Sequence, residues 1–292
     1  MKNMAPNSKV TLTNTDFTFG KVYSNSYVDL GRVGVVGFDF DYTLVTYTPA
    51  LLKLIYRMAL SHLTSKYNYP KEMESVLEFD STFPIRGLAV DKETGWICHL
   101  SYTHKVAVAY EGHEKVSRKR LLKEFSGKRA MTPSERMKRL KPLNDLFSMA
   151  ECCLVSDTIE YFKRRGIDFH AHSVVNDVLN SIRDAHLSGD FHRIVANSPK
   201  TFFKETPFMG QVLKRLKDGG KKLILVSNSP FWYVDAGLKF TIGDNWRENF
   251  EVIVMSAGKP SFYQERHRPF REVIPNPKST AVGEREEIKF LK

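Results

Sequence analysis

Val33-Gly34-Val35-Val36-Gly37-Phe38 is an apolar run that ends directly in Asp39-Phe40-Asp41-Tyr42-Thr43. A short valine-rich run reads as a buried strand, and two carboxylates at i and i+2 are unusual at the end of one. In an open α/β sheet, side chains leaving the carboxyl end of a strand enter a crevice where ligands sit. There, one aspartate can attack phosphorus while the second protonates the leaving oxygen and then activates water. Taken alone, such a pair also reads as a solvated turn, so the decision falls to later segments.

Two further runs repeat the arrangement. Lys221-Lys222-Leu223-Ile224-Leu225-Val226 follows a helix-like stretch that opens at Thr206-Pro207 and stops at Gly219-Gly220, an N-cap with a first-turn proline at one end and glycines at the other. It ends in Ser227-Asn228-Ser229-Pro230, whose hydroxyl and amide donors suit phosphate oxygens as well as an ordinary turn. Phe250-Glu251-Val252-Ile253-Val254-Met255-Ser256 is followed by Ala257-Gly258-Lys259-Pro260, where Lys259 offers a cation to the phosphate.

Nucleophilic aspartate, Ser-Asn-Ser and lysine, each after its own strand, resemble the haloacid dehalogenase superfamily of aspartyl-phosphate phosphatases. More narrowly, Gly37-Phe38-Asp39-Phe40-Asp41-Tyr42-Thr43-Leu44, Phe79-Asp80-Ser81-Thr82-Phe83-Pro84-Ile85-Arg86-Gly87-Leu88 and Lys259-Pro260-Ser261-Phe262-Tyr263 are similar to the cytosolic purine 5′-nucleotidase family and its 5′-nucleotidase domain-containing relatives. The resemblance runs from about Val22 to Val273. It implies an α/β fold: a Rossmann-like haloacid dehalogenase core with a parallel sheet, incomplete at the C-terminus, carrying a large inserted α+β cap. The core is expected over residues 28–48 and 205–275 and the cap over 49–204, with an N-terminal extension over 1–27 and a polar tail over 276–292.

The resemblance also implies a magnesium-dependent phosphomonoesterase of the 5′-nucleotidase type, acting on a nucleoside monophosphate or another small phosphomonoester. Asp39 would be nucleophile and Mg2+ ligand. Asp41 would be general acid and base, with its main-chain carbonyl on the metal. Ser227 and the Asn228 backbone would hold the phosphate, and Lys259 would neutralise it and orient Asp39. Magnesium prefers hard oxygen ligands and screens the repulsion between an anionic nucleophile and an anionic phosphate. In the cap, Asn144, Phe147 and His186 match positions that contact the nucleotide, Phe147 by stacking on the base. Without the family context Phe147 reads as a core aromatic. Leu179 and Arg183 stand where the purine enzyme has an arginine and an aspartate, and leucine cannot read a purine edge through hydrogen bonds.

The pattern breaks near the end. The family's fourth motif, Gly-Asp-His-x-x-x-Asp, lies downstream of the lysine and supplies a metal carboxylate, yet no aspartate follows Asp244 here. Gly189-Asp190 and Gly243-Asp244 precede Lys259 and read as loops. A superfamily sheet ordered 5-4-1-2-3 would take strands 1, 2 and 3 from the runs at Val33, Lys222 and Phe250, placing strands 4 and 5 beyond Lys292. Strand 1, with Val33, Val35, Val36 and Phe38 read as buried on both faces, would then be a sheet edge. The alternative function is a non-catalytic family member, or a truncated product, acting as a binding or scaffold protein.

Composition sets outer bounds. A chain of 292 residues, 42% hydrophobic and 26% charged, can bury a sizeable core together with an inserted module. No apolar stretch approaches a membrane span, and the first thirty residues lack a secretory segment, so a cytoplasmic protein with no membrane partner is expected. Cys98, Cys152 and Cys153 are odd in number and lack metal-ligand spacing, which suits small apolar residues in a reducing compartment. Of the net charge of +11, most sits between residues 115 and 141, where eleven Lys and Arg face two Glu. Without a nucleic-acid motif beside it, that run reads as a solvated helix-and-loop face. A homo-oligomer is left open.

Between the first two motifs, Leu51, Leu52, Ile55, Met58, Ala59 and Leu63 have helical spacing over Pro49 to about Tyr69. Short β-like pieces follow at Gly87 to Val90, Gly95 to Leu100 and Lys105 to Tyr110, then helices near Ala150 to Arg165 and Ser173 to Leu187.

Overall fold

The computed structural model describes residues 28–125, 127, 131–275 and 286–290; the expected extension over 1–27 and most of the tail over 276–292 lie outside them. From the N-terminal side, β1 (Val35–Phe38) leads to α1 (Pro49–Lys66) and the short α2 (Met73–Val76). Then come β2 (Ala89–Asp91), β3 (Ile97–Leu100), β4 (Val106–Glu111), β5 (Glu114–Lys115), α3 (Arg118–Glu124), α4 (Pro133–Arg139) and β6 (Leu140–Pro142). A helical stretch follows: α5 (Ser148–Arg165), α6 (Ala171–Leu187), α7 (Asp190–Asn197), α8 (Pro199–Phe202) and α9 (Met209–Asp218). The chain returns through β7 (Lys222–Val226), α10 (Phe231–Thr241) and β8 (Val252–Val254), and β9 (Arg271–Pro275) pairs antiparallel with β10 (Glu286–Phe290).

β1, β7 and β8 form a parallel sheet in the order β1-β7-β8, with Val36 beside Leu223, Phe38 beside Leu225, and Leu225 beside Ile253. Parallel neighbours need a crossover, and the β1-to-β7 crossover contains the second sheet, antiparallel and ordered β5-β4-β3-β2-β6, with its helices. The protein is therefore a Rossmann-like core carrying an inserted cap. No helix among the described residues is long and apolar enough to cross a membrane.

α1, α5 and α6 form where the sequence predicts helices. α1 has Pro49 in its first turn, where a missing N–H costs nothing, and buries Leu51, Ile55, Ala59 and Leu63 at intervals of four. That stripe packs with α5 and α6 into the main core, which also holds Cys152 and Cys153; all three cysteines are free and buried. α9 stops as the Gly219-Gly220 pair predicts. Gly220, at φ +76°, donates to the Lys217 carbonyl and Lys221 to the Leu216 carbonyl, the paired bonds of a glycine-terminated helix.

Several expectations are corrected. Thr206-Pro207 does not cap α9: the Met209 N–H closes a turn on the Thr206 carbonyl at 3.0 Å, the helix starts at Met209, and the Thr206 hydroxyl is buried without a partner. Gly189-Asp190 is not a loop, because Gly189 at φ +76° opens α7 and Asp190 begins it. Gly243-Asp244 does lie in a turn. Strand β1 is not buried on both faces. Val36 and Phe38 pack on the core, while Val35 is 50% exposed and Val252, on the same side two strands away, is 52% exposed, because no described element covers that face. The tail expected to be merely polar contributes β10.

The basic run is partly an internal framework. Arg120 pairs with Glu111, Lys141 with the buried Glu151, and Arg139 with the fully buried Asp91 and with Glu124. Burial of an ionised carboxylate demands such a partner.

Candidate active site

Phe40 fixes the two aspartates. Its ring is fully buried against Phe203 and Tyr233 at centroid distances of 6.3 and 5.8 Å. A Cβ on Gly237 would stand 2.6 Å from the ring's Cζ, so α10 accepts Phe40 only because it carries glycine there. With Phe40 inward, Asp39 and Asp41 emerge at the carboxyl end of β1, and both line a cleft of ≈ 440 Å³ with Tyr42, Thr43, Arg86, Asp145, Leu146, Phe147 and Asn228.

Asp39 is bound on one side. Its Oδ1 forms an ion pair with Lys259 Nζ at 2.7 Å and accepts from the Phe40 N–H at 2.8 Å, and its other oxygen accepts no hydrogen bond among the described residues. Lys259 is itself aimed: Nζ donates to the Val226 carbonyl at the end of β7 at 2.7 Å, and its backbone N–H donates to Asn228 Oδ1, also at 2.7 Å. The Asn228 amide returns a bond to the Lys259 carbonyl at 3.2 Å. The two strand-end loops singled out in the sequence thus clasp each other beside Asp39. Ser227 is buried, and its hydroxyl accepts from the Ser229 N–H at 3.0 Å.

Asp41 is held on both oxygens. Tyr47 OH donates to Oδ1 at 2.5 Å and Ser229 Oγ to Oδ2 at 2.9 Å. Burial pushes its carboxyl above the usual aspartate range, against the Tyr47 and Ser229 donors, which favour the anion. The Tyr47 hydroxyl meets that of Tyr233 at 2.9 Å. Both tyrosines are raised well above their usual range, first by burial and then by the Asp41 charge, so both stay protonated donors. Tyr42, at φ +53°, is pushed up to about 12 by burial and by Asp41 and Asp145.

The cap residues divide. Phe147 lines the cleft, its ring edge-on to Tyr42 and Tyr47 at 5.2 and 5.9 Å. His186 stands behind it at 6.4 Å and turns Nδ1 to the Ile182 carbonyl at 2.9 Å, and neither His186 nor the exposed Asn144 lines the cleft. Tyr47, Tyr233 and Asp145 belong to the site although the sequence did not mark them, while Ser229 and Arg86 stand inside motifs read from the sequence without a role of their own; of the unmarked residues Tyr47, six residues after Asp41 and just before α1, was the nearest to legible. A second cavity of ≈ 590 Å³ in the cap, lined by Leu77, His113, Asp157 and Arg165 among others, contains none of the residues singled out from the sequence.

The sequence model of the 5' nucleotidase family matches residues 22–292. The chain belongs to that family. It is 31% identical over 270 residues to a 5'-nucleotidase domain-containing protein of Dictyostelium discoideum, covering 87% of this chain and 44% of that protein. It is 32% identical to 5'-nucleotidase domain-containing protein 2 of Rattus norvegicus and 31% to that of Homo sapiens, covering 86% of this chain in each case and 47% and 50% of the relatives. The chain therefore spans about half the length of the curated relatives it matches.

Proposed function

We propose that this 5' nucleotidase family member is a phosphomonoesterase of the haloacid dehalogenase type, acting through an aspartyl-phosphate on a nucleoside monophosphate or another small phosphate ester. The observation that carries the reading is the asymmetry of Asp39, with Oδ1 charge-compensated by Lys259 and the Phe40 N–H and the other oxygen left to attack. That oxygen forms a bond to phosphorus as the bond to the leaving oxygen breaks, and the proton on Asp41 passes to the leaving alcohol. Asp41 then takes a proton from water as its oxygen attacks phosphorus, the Asp39–phosphorus bond breaks, and inorganic phosphate leaves. An acid that must begin protonated is served by the burial that raises Asp41.

A magnesium ion belongs to the proposal. The donors at hand are hard oxygens, the Asp39 carboxylate and the Asp41 main-chain carbonyl, which suit a cation that retains waters and takes substrate oxygens. These two donors would leave the remaining positions of the ion to water and to substrate oxygens. When bound, it would supply positive charge against the reacting phosphate. A cytoplasmic location is part of the same reading.

The test is to incubate the chain with p-nitrophenyl phosphate and a panel of nucleoside monophosphates, with magnesium or with EDTA, and to trap acid-quenched protein for mass analysis. Magnesium-dependent release of phosphate and a phosphoryl adduct on Asp39 are expected. Turnover without an adduct at Asp39 would overturn the mechanism, and no turnover or adduct under any condition would favour a binding or scaffold role.

Tyr47→Phe separates the acid from the nucleophile. It deletes one hydroxyl, in van der Waals surroundings that a phenylalanine ring also fits, and frees Asp41 Oδ1. Turnover of alkyl phosphates, which need a protonated leaving group, is expected to fall about tenfold or more, the scale of one hydrogen bond to a charged group. p-Nitrophenyl phosphate, whose leaving group needs little help, should lose far less. Equal losses on both would place Tyr47 outside the acid's support.

A further inference from the structure

We propose that Arg86 is a specificity-determining residue of this cleft. It receives a second anionic group, a carboxylate or phosphate on the leaving alcohol, so that the preferred substrates are small phosphomonoesters carrying two anions. The inference rests on the reading of Asp39 and Asp41 as the phosphoryl-transfer pair.

Most polar groups of the cleft are already engaged. Asp39 is paired with Lys259, Asp41 accepts from Tyr47 and Ser229, and Asn228 is bonded to Lys259. Asp145 accepts from the Ser148 N–H at 2.8 Å and from its hydroxyl at 2.7 Å, with the start of α5 offsetting its charge. Lys259 spends its ammonium on Asp39 and the Val226 carbonyl. Arg86 lines the same cleft and is exposed, and it makes no ion pair or hydrogen bond among the described residues. A guanidinium does not lose its proton, and its planar fork matches carboxylate and phosphate.

Its position says which part of a substrate it reads. Asp39, Asp41, Asn228 and Lys259 all stand at the ends of the parallel strands, so phosphorus belongs on that side. Arg86 stands on the cap side. There, the Gly87 N–H donates to the Leu143 carbonyl at 2.9 Å and the Leu143 N–H to the Leu88 carbonyl at 2.8 Å, which ties its backbone to the segment carrying Asp145 and Phe147. Gly87 turns at φ +98°, a conformation that suits glycine. An ester with phosphorus at Asp39 extends its alcohol toward this wall, where Tyr42, Leu146 and Phe147 give apolar contact and Arg86 gives the charge.

The test uses matched pairs with the full chain and magnesium: 3-phosphoglycerate against glycerol 3-phosphate, and adenosine 3′,5′-bisphosphate against adenosine 5′-monophosphate. The doubly anionic member of at least one pair is expected to show a kcat/KM about tenfold higher, the scale of one charge-assisted hydrogen bond. The pair that does so tells carboxylate from phosphate. Arg86→Gln should bring that ratio close to one, chiefly through KM, and Arg86→Lys should keep part of it. Binding is read separately on the Asp39→Asn chain by calorimetry, where Arg86→Gln should weaken 3-phosphoglycerate or the bisphosphate about tenfold and inorganic phosphate much less. Equal weakening of both would mean that Arg86 holds the reacting phosphoryl group and would overturn the proposal, as would ratios near one in the unsubstituted chain. Discrimination in binding with no turnover of any ester would leave the anion site standing and remove the phosphatase reading instead.

Discussion

Asp39→Asn is expected to lower phosphomonoesterase turnover on the order of 10⁴-fold or more, because an amide is a poor nucleophile and a weak metal ligand. The substitution is nearly isosteric, and the Asn carbonyl can still accept from the Phe40 N–H that now reaches Oδ1 at 2.8 Å. Lys259 keeps its bond to the Val226 carbonyl. The fold should therefore survive, with a thermal midpoint close to that of the unsubstituted chain, which separates lost chemistry from lost structure. Lys259→Ala is expected to be milder, about 10²- to 10³-fold, the scale of removing one preorganised charge from a reacting centre. Phosphate release and the Asp39 adduct are to be measured in both. Turnover by Asp39→Asn within tenfold of the unsubstituted chain would sink the assignment of the nucleophile.

What the sequence made legible is what chain-local chemistry dictates. Strands β1, β7 and β8 announce themselves as short apolar runs, and the residues just past them, Asp39, Asp41, Ser227, Asn228 and Lys259, converge because parallel strands point their carboxyl ends to one side. The rest depends on packing between distant segments. Tyr233 reaches the Asp41 support 186 residues away from Tyr47, through rings that crowd around Phe40, and neither tyrosine carries a local signature of that role. His186 has the residue type expected of a base-binding position, yet its ring nitrogen folds back onto its own helix. Val35 looks like core from its neighbours, but its exposure depends on which elements cover the sheet, and periodicity does not encode that. The basic run misleads in the same way, since Arg139 meets its acidic partner 48 residues earlier in the chain.

That last pair carries the largest expected effect on stability. Asp91 is fully buried at the end of β2 and accepts from Arg139 Nε at 2.8 Å and Nη2 at 2.7 Å, a two-pronged contact, and from the Glu93 N–H at 3.0 Å. Arg139 lies over the Phe125 ring at 4.7 Å and also pairs with Glu124, so one guanidinium joins β2, α3 and the end of α4. Asp91→Ala would leave that charge largely buried with one carboxylate partner, and breaking such a pair from one side costs about 3–5 kcal/mol. The consequence should reach the cleft. β6 pairs with β2 through Leu140 and Asp91 and leads into the segment that ties down Arg86 and presents Phe147. A loosened β2–β6 edge should therefore raise KM before the protein unfolds. Urea unfolding followed by circular dichroism is the measurement, with Arg139→Met and the double variant Asp91→Ala/Arg139→Met alongside. Each single change is expected to be strongly destabilising. The double variant should be less so than the sum, because no unpaired charge remains in the interior. A loss below about 1 kcal/mol for Asp91→Ala, or strict additivity in the double variant, would show that the cap sheet is held by its apolar contacts and that this ion pair is incidental to it.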